Sequence, residues 1–169
     1  MNFELRRWKE CYASDIHALA DNATIASMMR DSFPHPYTEQ DARDFVSSCM
    51  NADEELQLFR AIVLDGHAVG SIAICTCDDV YHRSAELSYW LGEPYWGNSI
   101  MTRAVRSICK EAFERFDIVR IFARPYSDNL ASRHVLNNAG FNLEGICRCA
   151  VCKDGIMHDD CIYALLREQ

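Results

Sequence analysis

The chain has 169 residues, 49% of them apolar, and a formal net charge of −8 at pH 7. That charge argues against a nucleic-acid partner and mildly favours a cationic one, such as an amine or a basic peptide. The length predicts a single domain, residues 1–169, and no apolar segment is long enough to cross a membrane. The opening residues "MNFELRRWKECYAS" lack the apolar core of a signal peptide, so a cytoplasmic location is expected.

The first third of the chain predicts one strand and two helices. The stretch "FELRRW", residues 3–8, alternates in polarity as a strand does. A helix is predicted from about Ser14, capped by Ser14 or Asp15, and it extends to about Met29. The prolines of "SFPHPY" end this helix, and Thr38 is predicted to cap the second one.

The middle of the chain predicts three strands and one long helix. The strands are expected over residues 56–64, 67–77 and 84–92, with an Asp65-Gly66 turn between the first two. Apolar residues then recur at helical spacing over residues 100–112. The three strands should form an antiparallel meander that leads into the helix.

The last third predicts a strand over residues 118–124 and a helix, "NLASRHVLNNAG", that ends at Gly140. Two further strands follow, "FNLEGICRCAVC" and "HDDCIYALLR", joined by a turn at residues 153–155. Because strands 84–92 and 118–124 are connected through a helix, they should lie parallel. The whole order predicts a mixed sheet with helices packed on it.

The stretch "ELSYWLGEPYWGNSIMTRAV" begins as a strand and finishes as a helix. A turn at Gly97 joins the two, and the N–H groups of residues 98–102 should project from the helix N-terminus. Such N–H groups favour a bound anion, and glycine lets a phosphate approach the backbone closely. An ordinary strand–helix loop is the alternative that this stretch alone leaves open.

The nine cysteines are odd in number and scattered, which does not indicate a disulfide framework. A zinc site built from Cys147, Cys149 and Cys152 with His158 and Cys161 is one hypothesis. In a regular strand, however, Cys147 and Cys149 share one face and Cys152 lies on the other. We therefore expect reduced thiols and no metal.

Four segments together resemble the GNAT superfamily of N-acetyltransferases, in particular its ribosomal-protein N-terminal (RimJ/RimL-like) branch. They are "FPHPYT", "AELSYWLGEPYWGNSIMTRAV", "NLASRHVLNNAGF" and "GIMHDDCIYALLRE", in the order of that family. The resemblance implies a single α+β domain with a mixed sheet of about seven strands and about four helices. It also implies that the parallel strands splay apart at the cofactor site.

In the GNAT superfamily the glycine-rich turn binds the pyrophosphate of acetyl-CoA, and the preceding strand pairs with the pantetheine amides. The family's usual turn carries Arg or Gln where this chain has Pro94, and a second Gly or Ala where it has Ser99. Arg133 is the first choice for the 3′-phosphate, ahead of Arg103, Arg106 and Arg124. The resemblance implies these cofactor-binding residues: Tyr89, Trp90, Leu91, Gly97, Asn98, Ser99, Ile100, Met101, Thr102, Asn129 and Arg133.

Acetyl transfer to an amine requires a base for the attacking nitrogen and an acid for the departing thiolate. Glu86 matches the glutamate that serves as base in many relatives, and a solvated strand glutamate is the alternative. Ser132 matches the serine of the N-terminal branch and is the predicted acid, although a local backbone bond would also suit a serine there. Tyr126 is the reserve donor.

The resemblance therefore predicts an acetyl-CoA-dependent N-acetyltransferase that acts by direct transfer in a ternary complex. His35 and Tyr37 lie on the loop that lines the acceptor pocket in relatives. A ribosomal-protein-type N-terminal amine is the favoured acceptor, and a polyamine or aminoglycoside is the rival. A non-catalytic acyl-CoA-binding module on the same fold is the alternative from another class, and a homodimer is consistent with the family.

Overall fold

The computed structural model describes residues 1–167, and these form one seven-stranded mixed sheet. The spatial order of the strands is β1-β2-β3-β4-β5-β7-β6. In chain order the strands are β1 (Glu4–Arg6), β2 (Gln57–Leu64), β3 (His67–Thr76), β4 (Ser84–Leu91), β5 (Arg120–Ala123), β6 (Asn142–Lys153) and β7 (Ile156–Leu166). The five α-helices are α1 (Tyr12–Ala20), α2 (Ala23–Ser27), α3 (Glu39–Met50), α4 (Ile100–Arg115) and α5 (Leu130–Ala139).

The two faces of the sheet carry separate apolar clusters. Helices α4 and α5 cover one face, where residues such as Ile108 and Leu136 are fully buried. Helices α1 and α3 cover the other face around Ile16 and Val46. As predicted, β4 and β5 are parallel, since the chain between them contains α4; the other described strand pairs are antiparallel.

The prediction of one long first helix, capped by Ser14 or Asp15, was wrong. The chain forms α1 and then α2, because the Asn22 side chain accepts the N–H groups of Thr24 and Ile25 and starts a new helix. The carboxylate of Asp15 instead accepts the N–H of Ala68 on β3. The described residues therefore contain five α-helices rather than about four.

The other helix signals in the sequence are confirmed. Thr38 and Asp41 form a reciprocal capping box at the start of α3. Gly140 ends α5 with φ at +98°, a left-handed conformation that glycine adopts without a steric penalty. Within residues 1–167, no helix is long and apolar enough to cross a membrane.

Strand β6 contains a bulge that the sequence pattern did not predict. The register with β7 shifts between Cys147 and Val151, and Cys149 has φ at +48°. The predicted alternation of Cys147, Cys149 and Cys152 assumed an uninterrupted strand, so it does not apply across the bulge. In the described part of the chain all nine cysteines are free, and no three His, Cys, Asp or Glu side chains are grouped to hold a metal.

Candidate active site

The carboxyl-terminal half of β4 has a free edge. Strand β4 pairs with β3 from Ala85 to Leu91. Its pairing with β5 ends sooner, at Glu86, which lies opposite Phe122. Within the described residues, no strand pairs with this edge over residues 87–91. The parallel strands therefore separate here, and an extended ligand with amide groups can pair with the open backbone.

The turn that follows β4 presents its backbone outward. Gly97 and Ser99 have φ at +76° and +55°, and a Cβ added to Gly97 would meet no atom within 4 Å. In the part of the chain that the structure describes, the N–H groups of residues 99–102 donate to no acceptor. These groups begin the 16-residue helix α4, whose dipole adds positive charge at the same end. The turn thus has the geometry of an anion site.

The side chains around this turn differ in their accessibility. Ser99 makes no capping bond and is exposed, so its hydroxyl is free to contact a ligand. Asn98 instead donates its side-chain amide to the carbonyls of Tyr95 and Trp96, which fixes the turn. Ile100 and Met101 are buried, so they contribute backbone N–H groups rather than side chains.

A serine–tyrosine pair lies beside the free edge of β4. The Tyr89 hydroxyl is 2.8 Å from Ser132 Oγ and also lies 3.2 Å from the Ser132 carbonyl oxygen. Asn129 caps α5 by accepting the Ser132 N–H at 3.0 Å, so the serine hydroxyl is not used as a cap. Burial raises the pKa of Tyr89 well above its usual range, and its phenol therefore stays protonated.

Glu86 projects from β4 to the opposite face. Successive strand residues alternate in direction, so Glu86 lies on the α1/α3 side while Tyr89 and Ser132 lie on the α4/α5 side. The Glu86 carboxylate forms an ion pair with Arg30, with 29% of the Glu86 side chain exposed. The gap between β4 and β5 thus has a carboxylate on one face and a hydroxyl pair on the other.

The α2–α3 loop (residues 28–38) borders the Glu86 face. Tyr126 donates its hydroxyl to the Met29 carbonyl at 3.2 Å, and Lys153 pairs with Asp31 at 2.8 Å. At the other end of the loop, Asp21 accepts the Tyr37 N–H at 2.9 Å. The loop is therefore attached to the strands and helices on both sides of the gap.

The residues predicted as acceptor contacts occupy different environments. His35 is 42% exposed and lies 3.3 Å from Asp21. Tyr37 is buried at 4% exposure, and burial raises its pKa to about 12. Tyr126 is also buried and stacks on His158, with its hydroxyl directed to the loop. Of these three, His35 is the side chain that an acceptor can reach without rearrangement.

The arginines considered for the 3′-phosphate all have protein partners. Arg133 donates to the Ser127 carbonyl at 2.8 Å and to the Tyr163 hydroxyl at 3.2 Å. The other three arginines also have partners: Arg103 with Ser99, Met1 and Phe3, Arg106 with Asn138, and Arg124 with Asp160. Neither bond of Arg133 uses its second terminal nitrogen, Nη2, so this half-buried guanidinium can contact a phosphate while keeping both partners.

Comparison with known proteins identifies the family. Residues 2–142 match the model of the acetyltransferase (GNAT) domain. The chain belongs to this family. The resemblance and the fold class predicted from the sequence are thereby confirmed.

Two curated relatives come from Bacillus subtilis (strain 168). The chain is 32% identical over 108 residues, 64% of its length, to the putative ribosomal N-acetyltransferase YdaF. It is also 32% identical over 117 residues, 69% of its length, to the probable N-acetyltransferase YjcK. The chain spans 58% and 65% of the lengths of these two GNAT relatives.

A solved GNAT structure shares the fold closely. The chain superposes on RimL, a ribosomal L7/L12 alpha-N-protein acetyltransferase in complex with coenzyme A, with a TM-score of 0.86. The superposition covers 98% of this chain and 94% of that one at 23% identity. At this identity the match establishes the fold.

Sequence reasoning missed two contacts of the candidate site. Arg30 reaches Glu86 across 56 residues of sequence, and Tyr89 reaches Ser132 across 43. Neither pair has a local sequence signal, because each forms where remote segments pack together. The alternation of β4 was the one available signal, since it places Tyr89 and Glu86 on opposite faces.

Proposed function

We propose that this protein transfers an acetyl group from acetyl-CoA to a primary amine by direct attack in a ternary complex. The favoured acceptor is a protein N-terminal α-amine. One observation carries the proposal: the gap beside β4 lies between the Glu86 carboxylate and the Ser132 hydroxyl, which are on opposite faces of the sheet. A base and an acid are needed on opposite sides of a reacting acyl carbon.

The residues around the gap fit acetyl-CoA. The free backbone of residues 89–91 suits the pantetheine amides, and the Gly97–Thr102 turn suits the pyrophosphate. When bound there, acetyl-CoA supplies an activated acyl group as a thioester. The coenzyme A that RimL holds on the same fold supports this assignment.

Glu86 is proposed as the base. A protein α-amine has a pKa of about 8, so much of it carries a proton at neutral pH. The carboxylate lies at the end of the paired part of β4, and it can accept this proton directly or through a water molecule.

Ser132 is proposed as the acid that serves the leaving sulfur. If the Tyr89 phenol donates to Ser132 Oγ, the serine proton is free to point into the gap. Because burial raises the Tyr89 pKa, the phenol remains a donor over the working pH range. The pair thus supplies a proton on the face opposite Glu86. Tyr126, which donates to the Met29 carbonyl, remains the reserve donor.

Direct transfer is favoured over an acyl-cysteine intermediate. Cys75 lies opposite Glu86 on β3, and Cys77 follows it two residues later. Burial, with a further contribution from the Glu86 carboxylate, raises the pKa of both thiols. Since the thiolate is the nucleophilic form, both cysteines are poorly suited to attack a thioester.

The names of the relatives support a peptide α-amine as acceptor. YdaF is described as a ribosomal N-acetyltransferase and RimL as an alpha-N-protein acetyltransferase. The test is a thiol-release screen with acetyl-CoA against N-terminal peptides, polyamines and aminoglycosides. We expect peptides to give the highest rates. Binding of coenzyme A without thiol release from any amine would instead identify a non-catalytic binding module.

Replacing Tyr89 by phenylalanine should lower kcat by about five- to tenfold, the effect of one lost hydrogen bond. The defect should shrink with acetyl donors whose leaving thiol is more acidic, because such a thiol needs less protonation. The measurement compares Tyr89→Phe, Ser132→Ala and the double variant across donors of different thiol acidity.

The double variant should be no slower than Ser132→Ala alone, since Tyr89 acts through Ser132. Tyr81→Phe is the control, because Tyr81 is 68% exposed and should leave kcat unchanged. If the losses in kcat from Tyr89→Phe and Ser132→Ala were independent and multiplied in the double variant, Tyr89 would not act through Ser132.

A further inference from the structure

Arg30 lies against the proposed base and has no part in the proton transfers described above. Its guanidinium forms an ion pair with the Glu86 carboxylate, and 67% of its side chain is exposed. The residues on both sides of Arg30 contact other segments, since the Met29 carbonyl accepts the Tyr126 hydroxyl and the exposed Asp31 side chain pairs with Lys153. The long Arg30 side chain therefore extends from the α2–α3 loop to the face of the gap on which Glu86 lies.

The neighbouring charged groups are already paired with one another. Asp31 pairs with Lys153, Arg124 with Asp160, and His158 with Asp128 at 2.9 Å. Asp159 accepts the backbone N–H of Cys149 at 2.8 Å. An acceptor that reaches this face thus meets one ion pair directly at the proposed base, that of Arg30 and Glu86.

The ion pair uses one oxygen of the Glu86 carboxylate, Oε1, so an incoming ammonium can share this carboxylate with Arg30 or replace the guanidinium there. An acceptor with positive charge alone can replace Arg30 at the carboxylate, but it then leaves two like charges close together, with the guanidinium unpartnered. An acceptor that also carries an anion avoids this cost. Its ammonium pairs with Glu86 and its anion pairs with Arg30, so one ion pair is exchanged for two.

We propose that Arg30 selects acceptors in which an anionic group lies a few bonds from the reacting amine, by pairing with that group. The inference rests on the proposed function and narrows its acceptor class. A guanidinium binds a carboxylate through two parallel hydrogen bonds, and amino acids supply carboxylates close to their amines. Peptides that begin with an acidic residue and free acidic amino acids both supply this chemistry.

The experiment compares kcat/KM for peptides that differ only in the first residue, Asp against Asn and Glu against Gln, with free aspartate and glutamate as a separate arm. Wild type should prefer the acidic member of each pair by roughly tenfold to a hundredfold, the usual effect of a hydrogen bond to a charged group. Arg30→Gln should abolish this preference, so that the acidic and the neutral member of each pair give equal kcat/KM. Arg30→Lys should retain part of it, because charge persists without the paired geometry.

Arg43→Gln is the matched control. Arg43 is an exposed arginine in an ion pair with Glu39 on α3, so its loss should leave the preference intact. Equal coenzyme A thermal shifts in all variants would show that the fold and the cofactor site are unchanged. If acidic peptides are the better acceptors, the acceptor class is a peptide N-terminus. If free acidic amino acids are better, the acceptor class is a small metabolite. Either result supports the role of Arg30.

Two results would overturn the inference and leave the proposed function standing. One is a wild-type enzyme that acetylates acidic and neutral peptides equally, and the other is an acidic preference that survives in Arg30→Gln. If wild type releases no thiol with any amine, the proposed function itself fails and this inference fails with it.

Discussion

Replacing Glu86 by glutamine should lower turnover by roughly 10²–10⁴-fold at neutral pH, the usual contribution of a positioned base. Glutamine keeps the shape of the side chain and can still bond to Arg30, but it cannot take up a proton from the amine. Binding of acetyl-CoA should hardly change, because the proposed cofactor contacts lie on the free backbone of β4 and on the Gly97 turn. The measurement is a pH–rate profile of both proteins from pH 6 to 9.

The deficit of the Glu86→Gln variant should shrink as pH rises towards the pKa of the amine. Solvent then supplies neutral amine, and the base contributes less. Glu39→Gln is the control, since Glu39 is an exposed carboxylate paired with an arginine on α3. An unchanged rate in Glu86→Gln across this pH range would show that Glu86 is an ordinary strand residue.

Replacing Gly97 by alanine should abolish the rise in melting temperature that coenzyme A gives to wild type. A ligand present at a hundred times its Kd stabilises the native state by about 2.7 kcal/mol, and this gain should disappear. An added Cβ meets no protein atom within 4 Å, so it would project into the open space at the turn that we propose binds the pyrophosphate. The measurement is a thermal denaturation of both proteins with and without coenzyme A.

Gly66→Ala is the matched control. It introduces the same backbone strain as Gly97→Ala, but at a position away from the proposed cofactor site. Gly66 lies in the β2–β3 turn with φ at +88°, and a Cβ there also meets no atom within 4 Å. Both alanine variants should therefore lose about 1–2 kcal/mol of stability through the left-handed backbone. Gly66→Ala should keep the full coenzyme A shift. A Gly97→Ala variant that also keeps it, or a wild type without any shift at millimolar coenzyme A, would refute the cofactor site.

Local sequence signals determined most of the secondary structure. Thr38 with Asp41, Gly140, and the strand–turn–helix around Gly97 each depend on hydrogen bonds or backbone preferences within a few residues. Such interactions form in the same way wherever the segment lies. The chain order added the parallel pairing of β4 and β5, because the chain between them contains a helix.

The resemblance supplied Glu86 and Ser132 as candidates, but only the tertiary structure decided how they are arranged. Their places on opposite faces of the gap depend on where β4 leaves β5 and on how α5 packs beside it. The burial of Tyr37 likewise depends on packing against Phe33 and the rest of its cluster. A sequence pattern gives the residue types, but it does not determine which segments, remote in sequence, pack against one another.

The features that the sequence did not predict are stabilised by contacts between separate segments. Asn22, which starts α2, also donates to Glu93 across 71 residues, and the ion pair of Arg30 with Glu86 joins the α2–α3 loop to β4. The bulge at Cys149 is fixed from the neighbouring strand, where Asp159 accepts its N–H. Local propensities set the helices and strands of this protein, whereas the partners of its charged and hydroxyl groups follow from the packing of segments that are remote in sequence.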